Sequence, residues 1–178
     1  TMKIKKEYTT LFLVGERKDE LGGSVYYDIN NELGAIVPII DFEKERNMIY
    51  AIIGAINAGL LLSCHDISDG GFATTIAEMI LGGDADGEIG VEISLDFTNL
   101  RNDKALFSES SGFVFEVEDK NIPRLNDLFR FYKLHLINLG KTTKEKNLLI
   151  TKNNKKVINL PISKLKDAWT KGFVEALR

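Results

Sequence analysis

The sequence predicts a layered domain of the α/β or α+β class, a three-layer α/β/α arrangement around a mixed sheet of about six strands. The chain has 178 residues, of which 44% are hydrophobic and 28% are charged, as in ordinary globular domains. A chain of this length buries roughly two thirds of its unfolded surface, so a single core needs no disulfide or metal. Short apolar runs also alternate with amphipathic helical runs. We therefore expect one domain over residues 1–178.

The first predicted elements are a strand and a long helix. Residues 11–14 are all apolar and stop at Gly15, which is typical of a strand buried on both faces. Asp41 is a good N-cap residue for the helix that follows. Because its apolar residues recur every three or four positions, we expect this helix to be largely buried. These residues are Ile49, Ile52, Ile53, Ile56 and Leu60.

A second strand is predicted at residues 63–67, and a helix follows it. Ser68 or Asp69 is the expected N-cap of this helix, and Gly82 and Gly83 are expected to end it. Its apolar face comprises Phe72, Ile76, Met79 and Ile80.

The second half of the chain continues the alternation. Residues 91–95 and 113–117 alternate in polarity and predict half-buried strands. A helix is expected from about 122 to 132, and further strands near 136–140, 148–150 and 157–160. The last helix should begin at Pro161, since proline suits the first turn. It places Leu165, Ala168, Trp169 and Leu177 on one face.

Charge and composition exclude several classes of protein. The net charge of −3 and the isoelectric point near 5.5 argue against a nucleic-acid partner, which would require clustered Lys and Arg. The most apolar stretch, residues 48–62, falls short of the roughly 20 residues that cross a bilayer. We therefore expect no membrane association. The single cysteine, Cys64, fits a reduced, cytoplasmic setting.

The strongest candidate site is the strand end and helix start at residues 63–72. Backbone N–H groups and the positive end of the helix dipole meet at Gly70 and Gly71, which favours phosphate. Asp66 and Asp69 could together hold Mg²⁺, which prefers oxygen ligands. Alternatively, Asp69 is only a helix cap. His65 is expected to be a hydrogen-bonded packing residue.

Two loops could complete such a site. Glu109, Ser110 and Ser111 precede a predicted strand and combine hydroxyls with a carboxylate, a set suited to a sugar phosphate. Gly22, Gly23 and Ser24 could approach a ligand closely. Both segments are equally compatible with ordinary turns.

Four motifs in order resemble phosphoribosylformylglycinamidine synthase. They are Leu-Gly-Gly-Ser at 21–24, His-Asp-Ile-Ser-Asp-Gly-Gly-Phe at 65–72, Ala-Glu-Met at 77–79 and Phe-Ser-Glu-Ser-Ser at 107–111. The resemblance covers nearly the whole chain and implies the C-terminal domain of a larger protein. It also implies a fold like that of the aminoimidazole ribonucleotide synthetase C-terminal domain, partly ferredoxin-like.

The resemblance carries functional expectations. The family converts formylglycinamide ribonucleotide, ATP and glutamine-derived ammonia to formylglycinamidine ribonucleotide, ADP and phosphate. Asp66 matches a magnesium-binding position. Glu109, Ser110 and Ser111 match a Glu-Ser-Gln substrate triplet whose glutamine is replaced here. The implied role is to line an auxiliary nucleotide site that holds ADP or ATP with Mg²⁺.

The expected partners are the N-terminal nucleotide-binding domains of the same protein, a glutaminase subunit and a small accessory subunit. Because the catalytic His and the ATP-contacting Lys of the family belong to those other domains, the chain alone should be inactive. A non-catalytic structural module, or a domain of another ATP-using relative, is the alternative.

Overall fold

The computed structural model describes residues 1–82 and 88–176 of the chain, which form one mixed sheet with helices on both faces. The strands are β1 (Thr10–Val14), β2 (Ser63–Asp66), β3 (Gly90–Ser94), β4 (Phe113–Val117), β5 (Ile137–Thr143), β6 (Asn147–Lys152) and β7 (Lys155–Pro161). The helices are α1 (Val25–Ile29), α2 (Phe42–Asn57), α3 (Gly71–Leu81), α4 (Asn102–Phe107), α5 (Ile122–Phe131) and α6 (Ile162–Ala176).

The sheet has seven strands in the order β2-β4-β1-β5-β3-β6-β7, against the six or so expected. Strands β3 and β6 run parallel, and the other paired neighbours run antiparallel. The expected mixed sheet is therefore confirmed.

The half of the sheet from β2 to β5 has the ferredoxin-like topology that the resemblance implied. Each of the units β1-α2-β2 and β4-α5-β5 returns to the sheet with one strand of the other unit in between, which is the split βαβ arrangement. The segment containing α3, β3 and α4 is inserted between β2 and β4. Strands β6 and β7 extend the sheet beyond this core.

Two hydrophobic cores on opposite faces make the three layers. Successive side chains of a strand point to opposite faces, so β1 contributes Leu11 and Leu13 to one core and Phe12 and Val14 to the other. Helices α3, α4 and α6 pack on the first face, and α2 and α5 pack on the second. The predicted three-layer α/β/α arrangement is confirmed.

Helix α2 begins as expected, but it is not largely buried. Asp41 Oδ1 accepts from the backbone N–H groups of Glu43 and Lys44 at 3.1 and 3.2 Å, so the predicted N-cap is confirmed. The inner face buries Met48, Ala51, Ile52 and Ala55. By contrast, Ile49, Ile53 and Ile56 are 45%, 48% and 54% exposed. The helix lies in an outer layer, so only one of its faces contacts the sheet.

Helix α3 begins at a different cap from the one predicted. Gly70, with φ of 82°, is the N-cap residue, and no side-chain cap from Ser68 or Asp69 occurs. The Gly70 amide donates instead to a distant carboxylate, that of Glu109. Gly82 ends the helix as predicted, whereas Gly83 lies outside the described residues.

Three further expectations need correction. Strand β4 is central, with four of its five residues buried, so it is not half-buried. Helices α1 and α4, of five and six residues, are additional to the helices expected. Helix α6 begins at Ile162, after Pro161 has ended β7.

The predicted apolar face of α6 is mostly not covered. Ile162 is buried and Leu165 packs against the first core, but Ala168 is exposed and Trp169 is 42% exposed. Only the first turn of α6 therefore packs closely. Leu177, also placed on this face, lies outside the described residues. Among the described helices none has the length and apolar character to cross a bilayer.

Candidate functional site

The candidate site lies at the end of the sheet where β2 finishes and β4 begins. Asp66 pairs with Phe113 across the two antiparallel strands, and the Ile67 N–H donates to the Gly112 carbonyl at 2.8 Å. The loop after β2 and the serine-containing loop before β4 are therefore neighbours. They are far apart in sequence, and the strand pairing joins them.

Glu109 connects three of the segments singled out from the sequence. Its Oε1 atom accepts from the Gly70 N–H at 2.8 Å and from the Val25 N–H at 2.9 Å. Val25 follows the Gly22-Gly23-Ser24 turn and starts α1, and Gly70 starts α3. The carboxylate thus lies where an anion was expected at the start of α3. An incoming phosphate would compete with Glu109 for the Gly70 donor.

The glycine positions around this carboxylate are closely packed, with one exception. A Cβ at Gly71, whose φ is 72°, would lie 2.7 Å from the carbonyl carbon of Phe107. A Cβ at Gly22 would lie 2.6 Å from the Ile36 carbonyl oxygen, whereas a Cβ at Gly23 would meet nothing within 4 Å. Close packing therefore accounts for Gly22 and Gly71, and Gly23 faces open space.

Ser24 is the N-cap of α1. Its Oγ accepts from the Tyr27 N–H at 3.3 Å and donates to the Leu21 carbonyl at 2.7 Å. Ser24 is also buried. In this structure its hydroxyl has a local structural role.

Asp66 is an accessible carboxylate, with 59% of its side chain exposed, and Asp69 is also exposed. His65 Nδ1 lies 3.2 Å from Asp66 Oδ1, and His65 Nε2 lies 3.0 Å from Glu78 Oε2. The histidine ring is thus held between two carboxylates, as expected of a hydrogen-bonded packing residue. Within residues 1–82 and 88–176, no group of three or more His, Cys, Asp or Glu side chains is placed to hold a metal ion.

Ser110 and Ser111 use their hydroxyls within the protein. Ser110 Oγ donates to Glu20 Oε2 at 2.8 Å, and Ser111 Oγ donates to Glu45 Oε2 at 2.6 Å. The backbone carbonyls of this loop are bound by Arg17. Its Nη1 donates to the Ser108 carbonyl at 3.1 Å, and its Nη2 donates to the carbonyls of Ser110 and Ser111.

The buried residues Arg17 and Glu20 were missed by the sequence analysis. Both are less than 10% exposed. Burial lowers the pKa of Arg17 to about 10, and the nearby Glu20 carboxylate partly offsets this effect. In sequence the two residues belong to a charged run, Glu-Arg-Lys-Asp-Glu at 16–20, and such a run ordinarily indicates a solvated loop. No local signal distinguishes them.

Two cavities lie beside predicted site residues, one beside Ser110 and Ser111 and the other beside Asp66. One, of about 340 Å³, is within the range of small-ligand pockets. Its wall includes Ser110 and Ser111, and its apolar surface includes Val14, Met48, Leu134 and Ile137. Asp66 borders a different cavity of about 290 Å³, together with Cys64 and His65.

The Cys64 thiol in the second cavity has a pKa that burial raises to about 12. A thiol that stays protonated at neutral pH is a poor nucleophile. Cys64 is therefore poorly suited to act as a nucleophile.

Fold and site together define a three-layer α+β domain with a ferredoxin-like half and a polar, glycine-containing site at one end of the sheet. Residues 9–152 match the family described as "AIR synthase related protein, C-terminal domain". The chain belongs to this family.

Curated relatives confirm the resemblance to phosphoribosylformylglycinamidine synthase. Subunit PurL of that enzyme from Methanothrix thermoacetophila is 41% identical over 179 aligned residues, which cover 100% of this chain and 23% of the relative. Subunit PurL from Caldanaerobacter subterraneus is 34% identical over 95% of this chain and 22% of the relative. The chain thus spans less than a quarter of the length of these relatives.

Solved structures show the same fold. Thermotoga maritima PurL complexed with FGAR superimposes with a TM-score of 0.76 at 18% identity, over 92% of this chain and 29% of that one. The hydrogenase maturation protein HypE superimposes with a TM-score of 0.57 at 10% identity, over 90% of this chain and 55% of that one. At these identities the likeness concerns the fold alone.

Proposed function

We propose that this chain is the C-terminal part of a phosphoribosylformylglycinamidine synthase. The whole protein would convert formylglycinamide ribonucleotide, ammonia from glutamine and ATP to formylglycinamidine ribonucleotide, ADP and phosphate in purine synthesis. The observation that carries the proposal is the 41% identity to PurL of Methanothrix thermoacetophila across the whole chain. HypE, by contrast, is similar only in fold and at a lower TM-score than PurL.

Within that protein, the domain would line an auxiliary nucleotide site. Three features support this role: an exposed carboxylate at Asp66, the α3 N-terminus at Gly70 and Gly71, and the adjacent loop from Glu109 to Ser111. Helix N-termini favour phosphate because their N–H groups and dipole point at it. PurL from Thermotoga maritima has been crystallised with ATP and with ADP.

Magnesium would accompany the nucleotide, and the described residues supply only part of its coordination shell. Mg²⁺ in nucleotide sites is bound by one or two carboxylates, phosphate oxygens and water. Asp66 offers one such carboxylate, and no cluster of three ligands lies near it among the described residues. Asp66 would hold the ion, and the bound ion would neutralise phosphate charge.

A purely structural role is the second candidate, and specific contacts favour it. Glu109 already accepts from Gly70 and Val25, and the hydroxyls of Ser110 and Ser111 already donate to Glu20 and Glu45. In such a module these residues would fix loop geometry and contact no ligand.

The proposed partners are the N-terminal nucleotide-binding domains of the same protein, a glutaminase subunit and a small accessory subunit, all in the cytoplasm. This proposal is supported by the length of the relative from Methanothrix thermoacetophila, of which the chain covers only 23%. A solved structure is also described as PurLQS from Thermotoga maritima.

The test of the reaction uses the full-length protein with formylglycinamide ribonucleotide, ATP, Mg²⁺ and ammonium. We expect formation of formylglycinamidine ribonucleotide with one ADP released per product. ADP release without amidine, or no reaction with a protein that is folded and binds ATP, would contradict the proposal.

Replacing Asp66 with asparagine tests the nucleotide site. In the full-length protein, Asp66→Asn should weaken stabilisation by ADP and Mg²⁺, because a neutral amide is a poorer magnesium ligand. A roughly tenfold weaker affinity lowers the ligand-induced stabilisation by about 1.4 kcal/mol at saturating nucleotide. Thermal shift with and without ADP and Mg²⁺ measures this. Asp127→Asn, whose side chain is 75% exposed on α5, is the matched control, and equal shifts in the two variants would favour the structural role.

A further inference from the structure

Exposed apolar side chains are concentrated in one segment of the chain. Of the sixteen large hydrophobic residues that are exposed among those described, nine lie between residues 36 and 56. They are Ile36, Val37, Ile39, Ile40, Phe42, Ile49, Tyr50, Ile53 and Ile56. Single exposed apolar residues are normal on a protein surface, whereas a contiguous apolar patch marks an interaction site. We call these nine residues the α2 apolar surface.

The α2 part of this surface is an ordered stripe. Ile49, Ile53 and Ile56 follow one another at four- and three-residue spacing, so they lie on one side of the helix. Each is about half exposed. The opposite side of the helix is buried against the second core. Helix α2 therefore has two apolar faces, and the domain covers only one of them.

The charge pattern distinguishes this stripe from a solvated helix face. No Asp, Glu, Lys or Arg occurs in the sixteen residues from 47 to 62. A helix face in water ordinarily carries charged residues, whereas the core of a protein interface is depleted of them. The stripe thus has the composition of a surface that is covered by protein.

We propose that the α2 apolar surface docks against the remaining polypeptide of the same protein. The chain covers only 23% of the length of its relative from Methanothrix thermoacetophila, so a protein of that length has further segments available. Covalent linkage gives such segments a millimolar effective concentration, which favours them over a separate copy of the chain. Ile56 and Ile52 also border the cavity that contains Asp66, so the docked segment would meet that cavity.

Cysteine labelling in the full-length protein tests the docking. Ile53→Cys should react with a maleimide at least tenfold more slowly in the folded protein than in urea. Lys156→Cys, on the exposed strand β7, should react at nearly the same rate in both. Cys64 is replaced by alanine in both variants, because an unfolded Cys64 would also react in urea. Ile49→Cys is the second probe if Ile53→Cys fails to fold.

Each outcome is decisive. Protection at Ile53 that persists on dilution of a monomeric protein supports the proposal. Labelling of Ile53→Cys as fast as Lys156→Cys would overturn it, and so would protection that disappears as a dimer dissociates. The proposed enzymatic function is tested independently, since protection could be observed in a protein that forms no amidine product.

Discussion

At the scale of single residues, Glu109 holds together segments that are distant in the chain. One carboxylate oxygen accepts from the first amide of α1 and from the N-cap amide of α3. A carboxylate near a helix N-terminus is also favoured by the helix dipole. From the sequence, Glu109 could belong to a ligand-binding loop or to an ordinary turn. Its contacts in the structure give it a structural role whether or not a ligand binds.

Replacing Glu109 should therefore cost stability. Hydrogen bonds to a charged group contribute up to about 1.5–3 kcal/mol each. Because the bond from Val25 is exposed and the bond from Gly70 is only partly buried, Glu109→Ala should lower the free energy of unfolding by roughly 2–3 kcal/mol in total. Glu109→Gln should cost less because its amide oxygen still accepts. Urea unfolding of both variants measures this. Glu92→Ala, on the exposed side of β3, is the control. If Glu109→Ala lowers the free energy of unfolding no more than Glu92→Ala does, the hydrogen bonds of Glu109 do not stabilise the fold.

Glu118 predicts a pH dependence. Hydrogen bonds from Lys120 and Lys6 lower its pKa from 4.5 to about 2. A carboxyl group with a lower pKa in the folded state stabilises the fold above its unfolded pKa, and this contribution is lost as the pH falls through the folded value. The melting-temperature difference between the wild type and Glu118→Gln should thus be largest near neutral pH and should shrink between pH 4.5 and pH 2.

Thermal melts of both proteins across this pH range test the lowered pKa of Glu118. Added salt should also reduce the melting-temperature difference, because Glu118 and its lysines are near solvent. Glu7→Gln provides a control, since Glu7 is exposed and makes no ion pair among the described residues. A pH-independent effect at Glu118 would contradict the pKa shift.

At the scale of elements, the start of α3 depends on close backbone packing. Gly71 and Gly23 have nearly the same φ, 72° and 71°, but a Cβ at Gly71 would meet the Phe107 backbone at 2.7 Å and a Cβ at Gly23 would meet nothing. Comparing the two glycines therefore separates two contributions to the free energy of unfolding. One is the penalty for a positive φ in a residue with a Cβ, and the other is the steric clash with the Phe107 backbone.

Alanine at the two positions should have different effects. Gly23→Ala carries only the left-handed backbone penalty, about 1 kcal/mol. Gly71→Ala adds a clash with backbone that cannot move aside, and should cost more than about 3 kcal/mol. Chemical denaturation of both variants provides the comparison. Equal losses would mean that α3 and α4 can separate at this contact.

At the scale of the whole molecule, the ferredoxin-like half supplies the strand ends beside the candidate site, and the insertion between β2 and β4 supplies α3. The result is a site with a carboxylate and a helix N-terminus at the edge of one domain. In the proposed enzyme, the catalytic histidine and the ATP-contacting lysine would come from other domains.

The isolated chain should consequently neither hydrolyse ATP nor form formylglycinamidine ribonucleotide. A coupled assay for ADP on the purified chain measures this, with the full-length protein as the positive control. Turnover of roughly 1 per second, as in an ordinary enzyme, would show that the chain contains a complete active site.

Most helices and strands of the fold could be predicted from local sequence patterns. The approximate positions of the strands, the N-cap at Asp41, the end of α3 at Gly82 and the helix near residues 122–132 all follow from local signals, which are periodicity, capping and glycine. The family motifs added the ferredoxin-like topology. Short helices such as α1 and α4 escaped because five or six residues contain too little periodic pattern.

Three features depend on contacts between residues that are distant in sequence, so they could be seen only in the folded structure. The N-cap of α3 is Gly70 because Glu109 reaches it from 39 residues away. Arg17 is buried because the carbonyls of the serine loop surround it. Helix α2 carries apolar residues on two faces after its charged first turns, and only packing determines which of these faces the domain covers. Local sequence specifies the period of an element, whereas its partners are set by the topology that brings remote segments together.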